Sequence, residues 1–336
     1  MGVNLYCQKR MTLVAGLCLM TICASTTRAA GPVAVNPVQR GKVAVMEQGP
    51  SQVGFTVTIG AGYLTGESNE LVYWPHVNNH KASELTWKID DLFMVGVGAS
   101  LTVSDWFVAN FDGWFKATDG SATMDDYDWV VPGGGWTAWS HYDDTEVTDG
   151  SLIDVNANFA FYRARQIAFR GIVGYKRDNF GWAAQGGDFV YSTNSFRDNS
   201  GSFPDGLVGI SYEQTMTSLY GGLGFDANVN GRFELSGRVI YSPFVQGEAT
   251  DSHHNRNLVT YDDFEDGDLV AFDIAGTFFF SQDFALELMY SYQSYDTMQG
   301  DSEWHFRNQG TVAYRDESSG MDQTSSMLSA SLQYNF

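Results

Sequence analysis

Three carboxylates, Asp125, Asp126 and Asp128, fall within four residues between aromatic-rich runs, and Asp251-Ser252-His253 repeats the two-residue spacing with an Asp and a His. On an extended chain, residues two apart share a face. Asp126 with Asp128, and Asp251 with His253, are therefore candidate functional pairs. Asp125 and His254 are out of phase with them and are expected to face elsewhere. These residue types suit hydrolysis by an activated water. A histidine of near-neutral pKa is a suitable general base, and a carboxylate beside it orients the ring and favours its charged form. Two neighbouring carboxylates repel, so one of them keeps a proton more readily. Other chemistry finds less support. His253 and His254 are adjacent and cannot share a strand face for zinc. His76 and His80 lie in a polar run after Pro75 and read as solvated. Gly133-Gly134-Gly135 lacks the Lys-Ser/Thr of a phosphate loop.

The elements that must position these pairs read as strands. Period-two runs recur from Val53–Ile59 through Phe93–Leu101, Leu152–Phe161, Leu219–Ala227 and Phe233–Tyr241 to Met327–Phe336, about ten in all. Short connections such as Val103-Ser104-Asp105 alternate with long polar ones around 64–88, 117–150, 177–215, 244–268 and 294–325. That asymmetry predicts an all-β fold, a transmembrane antiparallel up-and-down β-barrel, with a soluble two-sheet sandwich as the alternative.

Residues 1–29 read as a secretory signal peptide: Lys9 and Arg10 precede the apolar run Met11–Cys23, and small residues lead to Ala29. Residues 30–336 are then the barrel domain. All three cysteines, Cys7, Cys18 and Cys23, lie in that leader, so the exported part is held by its sheet and core, not by disulfides. The leader also takes three of the 19 basic residues and none of the 40 acidic ones, which leaves 16 against 40, a formal −24. Such a surface argues against a nucleic-acid partner and attracts cationic substrates.

The ordered set of motifs resembles the omptin family, aspartyl-type endoproteases of the outer membrane. It includes Leu64–Tyr73, Ser83-Glu84-Leu85-Thr86-Trp87-Lys88, Met124–Trp129, Ser140–Thr145, Gly201–Gly206 and Asp251-Ser252-His253. The resemblance implies a ten-stranded barrel, a terminal Phe336 that serves as an assembly signal, and an outward-facing site with Asp126 and Asp128 opposite Asp251 and His253. His253 would be the base, oriented by Asp251, with Asp126 positioning the water and Asp128 assisting through a shared proton or the developing charge. His141 would be a supporting loop residue. Substrates would be cationic peptides or proteins cut next to basic residues, with Glu70 as a substrate-binding acid. The chain would act as a monomer among outer-membrane lipids, with no metal or cofactor and with lipopolysaccharide as a candidate activator.

Two departures bear on specificity and lipid. The position of a second specificity acid is Ala249, and that of a third aligns with Ala138. In the outer-wall lipid site Tyr175 is kept, but the remaining positions read Arg177, Asn179, Thr215 and Asp262–Asp266, which leaves Lys176 and Arg177 as a rearranged basic site. The competing function is a non-catalytic barrel acting as an adhesin or surface-binding protein through its acidic loops. About ten strands leave too narrow a lumen for a porin.

Overall fold

The computed structural model describes residues 53–336. The expected leader and the expected start of the barrel domain at residue 30 lie outside the described residues. Long antiparallel strands follow one another: β1 (Gly54–Trp74), β2 (His80–Ser104), β3 (Phe107–Lys116), β4 (Ala122–Asp128), β5 (Ala138–Arg163), β6 (Ile167–Gln185), β7 (Asp188–Tyr191), β8 (Asn199–Ser202), β9 (Val208–Asn228), β10 (Phe233–His253), β11 (Leu258–Phe279), β12 (Phe284–Phe306) and β13 (Thr311–Asn335). β3 and β4 are two parts of one stave, since both pair with β2 on one side and β5 on the other. β7 and β8 form a hairpin on the upper end of β5. The remaining strands pair in chain order, and β1 pairs with β13 from Thr56↔Asn335 to Val72↔Ser319, which closes a ten-stave barrel among the described residues. Closure removes the open edge and satisfies the backbone where no water is present.

One band of the outer wall is apolar. Ile59, Val97, Phe111, Phe159, Val173, Leu223, Val239, Ile274, Leu288 and Leu332 all stay exposed although large and apolar. A barrel presents such a band to lipid. Above it the outward positions become Glu67, Glu146, Arg177, Glu213, Glu248 and Asp263. The strands therefore run well past the band: β5 has 26 residues, against the roughly 9–11 that cross a membrane. The segments expected as long polar loops are mostly this paired extension, and the turns joining β1 to β2 and β10 to β11 are short. Above the band both faces carry polar residues, so the apolar–polar contrast disappears while the hydrogen-bonded ladder continues.

Two bulges matter for the site. In β10 and β11 the register shifts between Tyr241 and Gly247. Below the shift, β11 turns Leu269, Ala271 and Ala275 inward; above it, Thr260, Asp262 and Phe264. An inserted residue reverses the phase of everything beyond it. Across the lumen, Ser68 Oγ donates to Gln214 Oε1 at 2.6 Å and Gln214 Nε2 donates to Gln323 Oε1 at 3.2 Å, which ties β1, β9 and β13 into a floor. Below the floor a cavity of about 160 Å³ is lined by Asp154, Lys176, Arg238, Asp273 and other side chains. The candidate pairs lie above it.

Candidate active site

Asp126 and Asp128 occupy the upper end of the short β4, flanked on both sides. Asp126 lies opposite Leu85 on β2 and Ser140 on β5; Asp128 lies opposite Ser83 and Ala138. Asp126 is buried, and Ser83 Oγ donates to its Oδ1 at 3.4 Å. Asp125, one residue out of phase, turns to the other face, where it meets His141 Nδ1 at 2.9 Å and accepts from Trp139 Nε1 at 3.3 Å. His141 stands within β5 itself and not in a loop, because the ladder continues above the band.

The second pair crowns β10, four staves away around the ring of ten and so close to diametrically opposite. His253 Nε2 is 2.7 Å from Asp251 Oδ2, and Asp251 is almost fully buried. A proton on Nε2 serves this bond and leaves Nδ1 to accept another. His254 begins the 3₁₀ turn His254–Arg256, stays exposed and bonds Ser211 Oγ at 2.9 Å. His76 is exposed, whereas His80 is not merely solvated: its Nε2 lies 2.6 Å from the Trp129 carbonyl.

All these groups stand above the apolar band, and they feel one another. Burial first, then the charge of Asp128, pushes Asp126 up to about 7, with Asp251 adding and His253 and Arg256 opposing. Burial likewise raises Asp128, against the Ser83 hydroxyl, Arg256 and His253. For His253, burial pulls the pKa down, but the charge and hydrogen bond of Asp251 outweigh it, aided by Asp126 and opposed by Arg256, so the ring is raised above its ordinary value. At neutral pH the Asp couple therefore retains a proton more readily than ordinary carboxyls, and His253 titrates above its usual range.

Glu70 is buried on β1 and accepts from Trp87 Nε1 at 3.3 Å. Trp87 stacks on Tyr212 with ring centroids 5.6 Å apart, which fixes one wall of the cleft. Burial, then the charges of Asp251 and Asp262, and after these Asp126, raise Glu70 well above the carboxylate range, with Trp87 opposing. The structure thus brings Glu70, Asp126, Asp128, Asp251 and His253 to one mouth. Three contributors escaped the sequence reading: Ser83 beside the Asp couple, Arg256 on the turn beyond His253, and Asp262. Arg256 had a legible signal, a cation three residues after the Asp-x-His pair.

The expected rearranged lipid site is not assembled. Lys176 points into the barrel and pairs with Asp178 at 3.1 Å, both nearly inaccessible. Tyr175, Arg177 and Asn179 share the outward face, where Asn179 is held by Asp149 at 2.7 Å and Thr215 at 2.7 Å. The alternation that turns Tyr175 and Arg177 outward forces Lys176 inward. By the same rule Asp262 faces the lumen, while Asp263 and Glu265 face out.

The model described as "Omptin family" matches residues 51–336, which include all of the described barrel. The chain belongs to the omptin family. It is 27% identical to the plasminogen activator of Yersinia pestis over 284 residues, 84% of this chain and 89% of that protein. It is 24% identical to the outer membrane protease OmpP of Escherichia coli K12 over 291 residues, 86% of this chain and 91% of that protein. In fold it is similar to the outer membrane protease OmpT of Escherichia coli, with a TM-score of 0.80 at 23% identity, covering 84% of this chain and 97% of the other. This omptin is an outer-membrane endopeptidase, and its closed barrel has the apolar band that such residence requires.

Proposed function

We propose that this omptin cuts peptide bonds beside a basic residue on the amino-terminal side of the cut, using a water activated by His253. Asp251 holds the ring with Nδ1 turned to the cleft. Nδ1 takes a proton from the water, whose oxygen bonds to the peptide carbonyl carbon as the C=O electron pair moves onto oxygen. Asp126 positions that water, and the proton shared by Asp126 and Asp128 stabilises the developing negative oxygen. As the tetrahedral species collapses, the C–N bond breaks and the leaving nitrogen takes a proton from the imidazolium, which restores His253. The route uses side chains and water alone. Preference for a basic residue is supported by Glu70, a buried acid beside the site, and by the acidity of the whole barrel.

The observation that carries this reading is the placement of a bonded Asp–His pair opposite an Asp couple, Asp126 buried and Asp128 half-buried, close enough for each pair to shift the other's protonation. Refolded barrel acting as a monomer on an internally quenched peptide containing Arg-Arg tests it. Cleavage by the wild type that disappears in Asp251→Ala and His253→Ala supports the proposal. A folded wild type that leaves both this peptide and a wider library intact overturns it, and leaves the surface-binding alternative.

A further inference from the structure

We propose that Asp262 is a substrate-binding carboxylate which, with Glu70, receives the basic side chain next to the scissile bond. This rests on the basic-residue preference proposed above. Asp262 on β11 stands directly opposite Ala249 on β10, and both face inward and are buried. Side chains so paired have Cβ atoms about 4.5–5.5 Å apart. Ala249 ends at its Cβ, so the space on that patch of wall is left to the longer Asp262. Asp251, two residues above Ala249 on the same face, is one diagonal step away.

Asp262 has hydroxyls for neighbours, those of Thr260, Ser302 and Ser319, and no bonded cation. Thr260 Oγ1 donates to its Oδ2 at 3.5 Å, while Oδ1 is buried with no donor within hydrogen-bond distance. Among the described residues no lysine or arginine forms an ion pair with Asp262 or Glu70. A buried carboxylate in that condition is costly, and an incoming cation relieves the cost. Burial, opposed by Ser302, and then the charge of Asp251 push Asp262 up to about 7, with Thr260 and Ser319 also opposing. The charge of Asp262 also raises Glu70, which marks the two acids as neighbours in the upper lumen.

The side chains around the two acids suit a lysine or arginine. Trp87 and Tyr212 stack into an aromatic wall, against which a guanidinium or an aliphatic stem packs well. The Tyr212 hydroxyl is likewise buried without a partner, a further acceptor for a substrate N–H. Ser68, Gln214 and Gln323 close the bottom. The acid missing at Ala249 is thus matched by one on the neighbouring strand, and the pocket keeps two carboxylates.

Two quenched peptides that differ only by Arg or its neutral isostere citrulline before the cut provide the test, with folding checked by the heat-sensitive gel mobility of a closed barrel. The wild type is expected to prefer Arg. Asp262→Asn should reduce the Arg-to-citrulline ratio of kcat/KM roughly 10- to 100-fold, the weight of a charge-assisted contact, mainly through KM. Asp262→Glu, and Asp262→Asn combined with Ala249→Asp, should recover part of it. Ala249→Lys, which sets a cation opposite Asp262, should depress the ratio in the same way and decides the matter if Asp262→Asn does not fold. An unchanged ratio in folded Asp262→Asn or Ala249→Lys overturns the proposal. A wild type indifferent to the Arg–citrulline exchange instead overturns the basic-residue reading beneath it.

Discussion

The lumen of this barrel contains two populations of buried acid, above and below the Ser68–Gln214–Gln323 floor. Below it, cations are built in. Arg238 bonds Asp154 at 2.9 Å and also Asp273, Arg170 meets Asp226 at 2.9 Å, and Lys176 meets Asp178 at 3.1 Å. Above it Glu70, Asp126, Asp251 and Asp262 are buried, and His253 is the one basic side chain that ion-pairs with any of them among the described residues. Paired buried charges hold a structure together only as complete sets. Buried acids short of partners cost stability and are retained where a ligand or a reaction uses them. The floor thus divides a structural plug from a cleft prepared for positive charge.

The contrast is sharpened by experiments that move one population and leave the other. A large effect is expected from Asp251→Ala, which removes the bond that orients the His253 ring: turnover should fall by roughly 100- to 1,000-fold in a peptide-cleavage assay. Below the floor, Arg238→Met strands Asp154 and Asp273 and should cost about 3 kcal/mol of barrel stability, read as a lower thermal midpoint. Its turnover per folded barrel should stay near wild type.

Smaller effects come from pH. A base that must lose a proton and an Asp couple that must keep one give a bell-shaped kcat/KM, with one limb near the value of about 7 for Asp126. Asp251 raises His253, so Asp251→Asn should move the limb set by His253 to lower pH. Stability carries the same signature. Asp262 titrates near 4 unfolded and near 7 folded, so its penalty is absent at low pH, grows between those values and is complete above the upper one. His253, raised on folding, contributes stability below its unfolded pKa that is lost as pH rises. Both predict a higher melting midpoint at about pH 5 than at about pH 8, and a weaker pH response in Asp262→Asn. Smallest of all should be the response to lipopolysaccharide: with Lys176 turned inward, adding it to refolded barrel should change turnover little. A large activation would mean that Arg177 and Tyr175 suffice.

How much of this could be read in the sequence follows from which signals alternate. The ten staves show where apolar residues meet lipid, since Val95, Val97 and Ala99 outside contrast with Met94 and Gly96 inside. The phase of Asp126 with Asp128, and of Asp251 with His253, was legible because each pair lies within one uninterrupted strand. Asp262 was not. Counting by twos from Leu269 and Ala271 sends it outward, and only the bulge at Glu265–Asp266, with Asp266 at φ 61°, reverses that phase. Its neighbours Asp263, Glu265 and Asp266 also disguise it as one acid in a solvated run. The upper strands were hidden for a different reason, since polar residues on both faces leave no contrast.

The central claim is that the chemistry belongs to the cation-poor cleft and not to the paired plug. The most direct measurement is kcat on an Arg-Arg quenched peptide for folded His253→Ala and Arg238→Met side by side. The expected result is a loss of roughly 100- to 10,000-fold in the first and near wild-type turnover per folded barrel in the second. Undiminished cleavage by His253→Ala would contradict it.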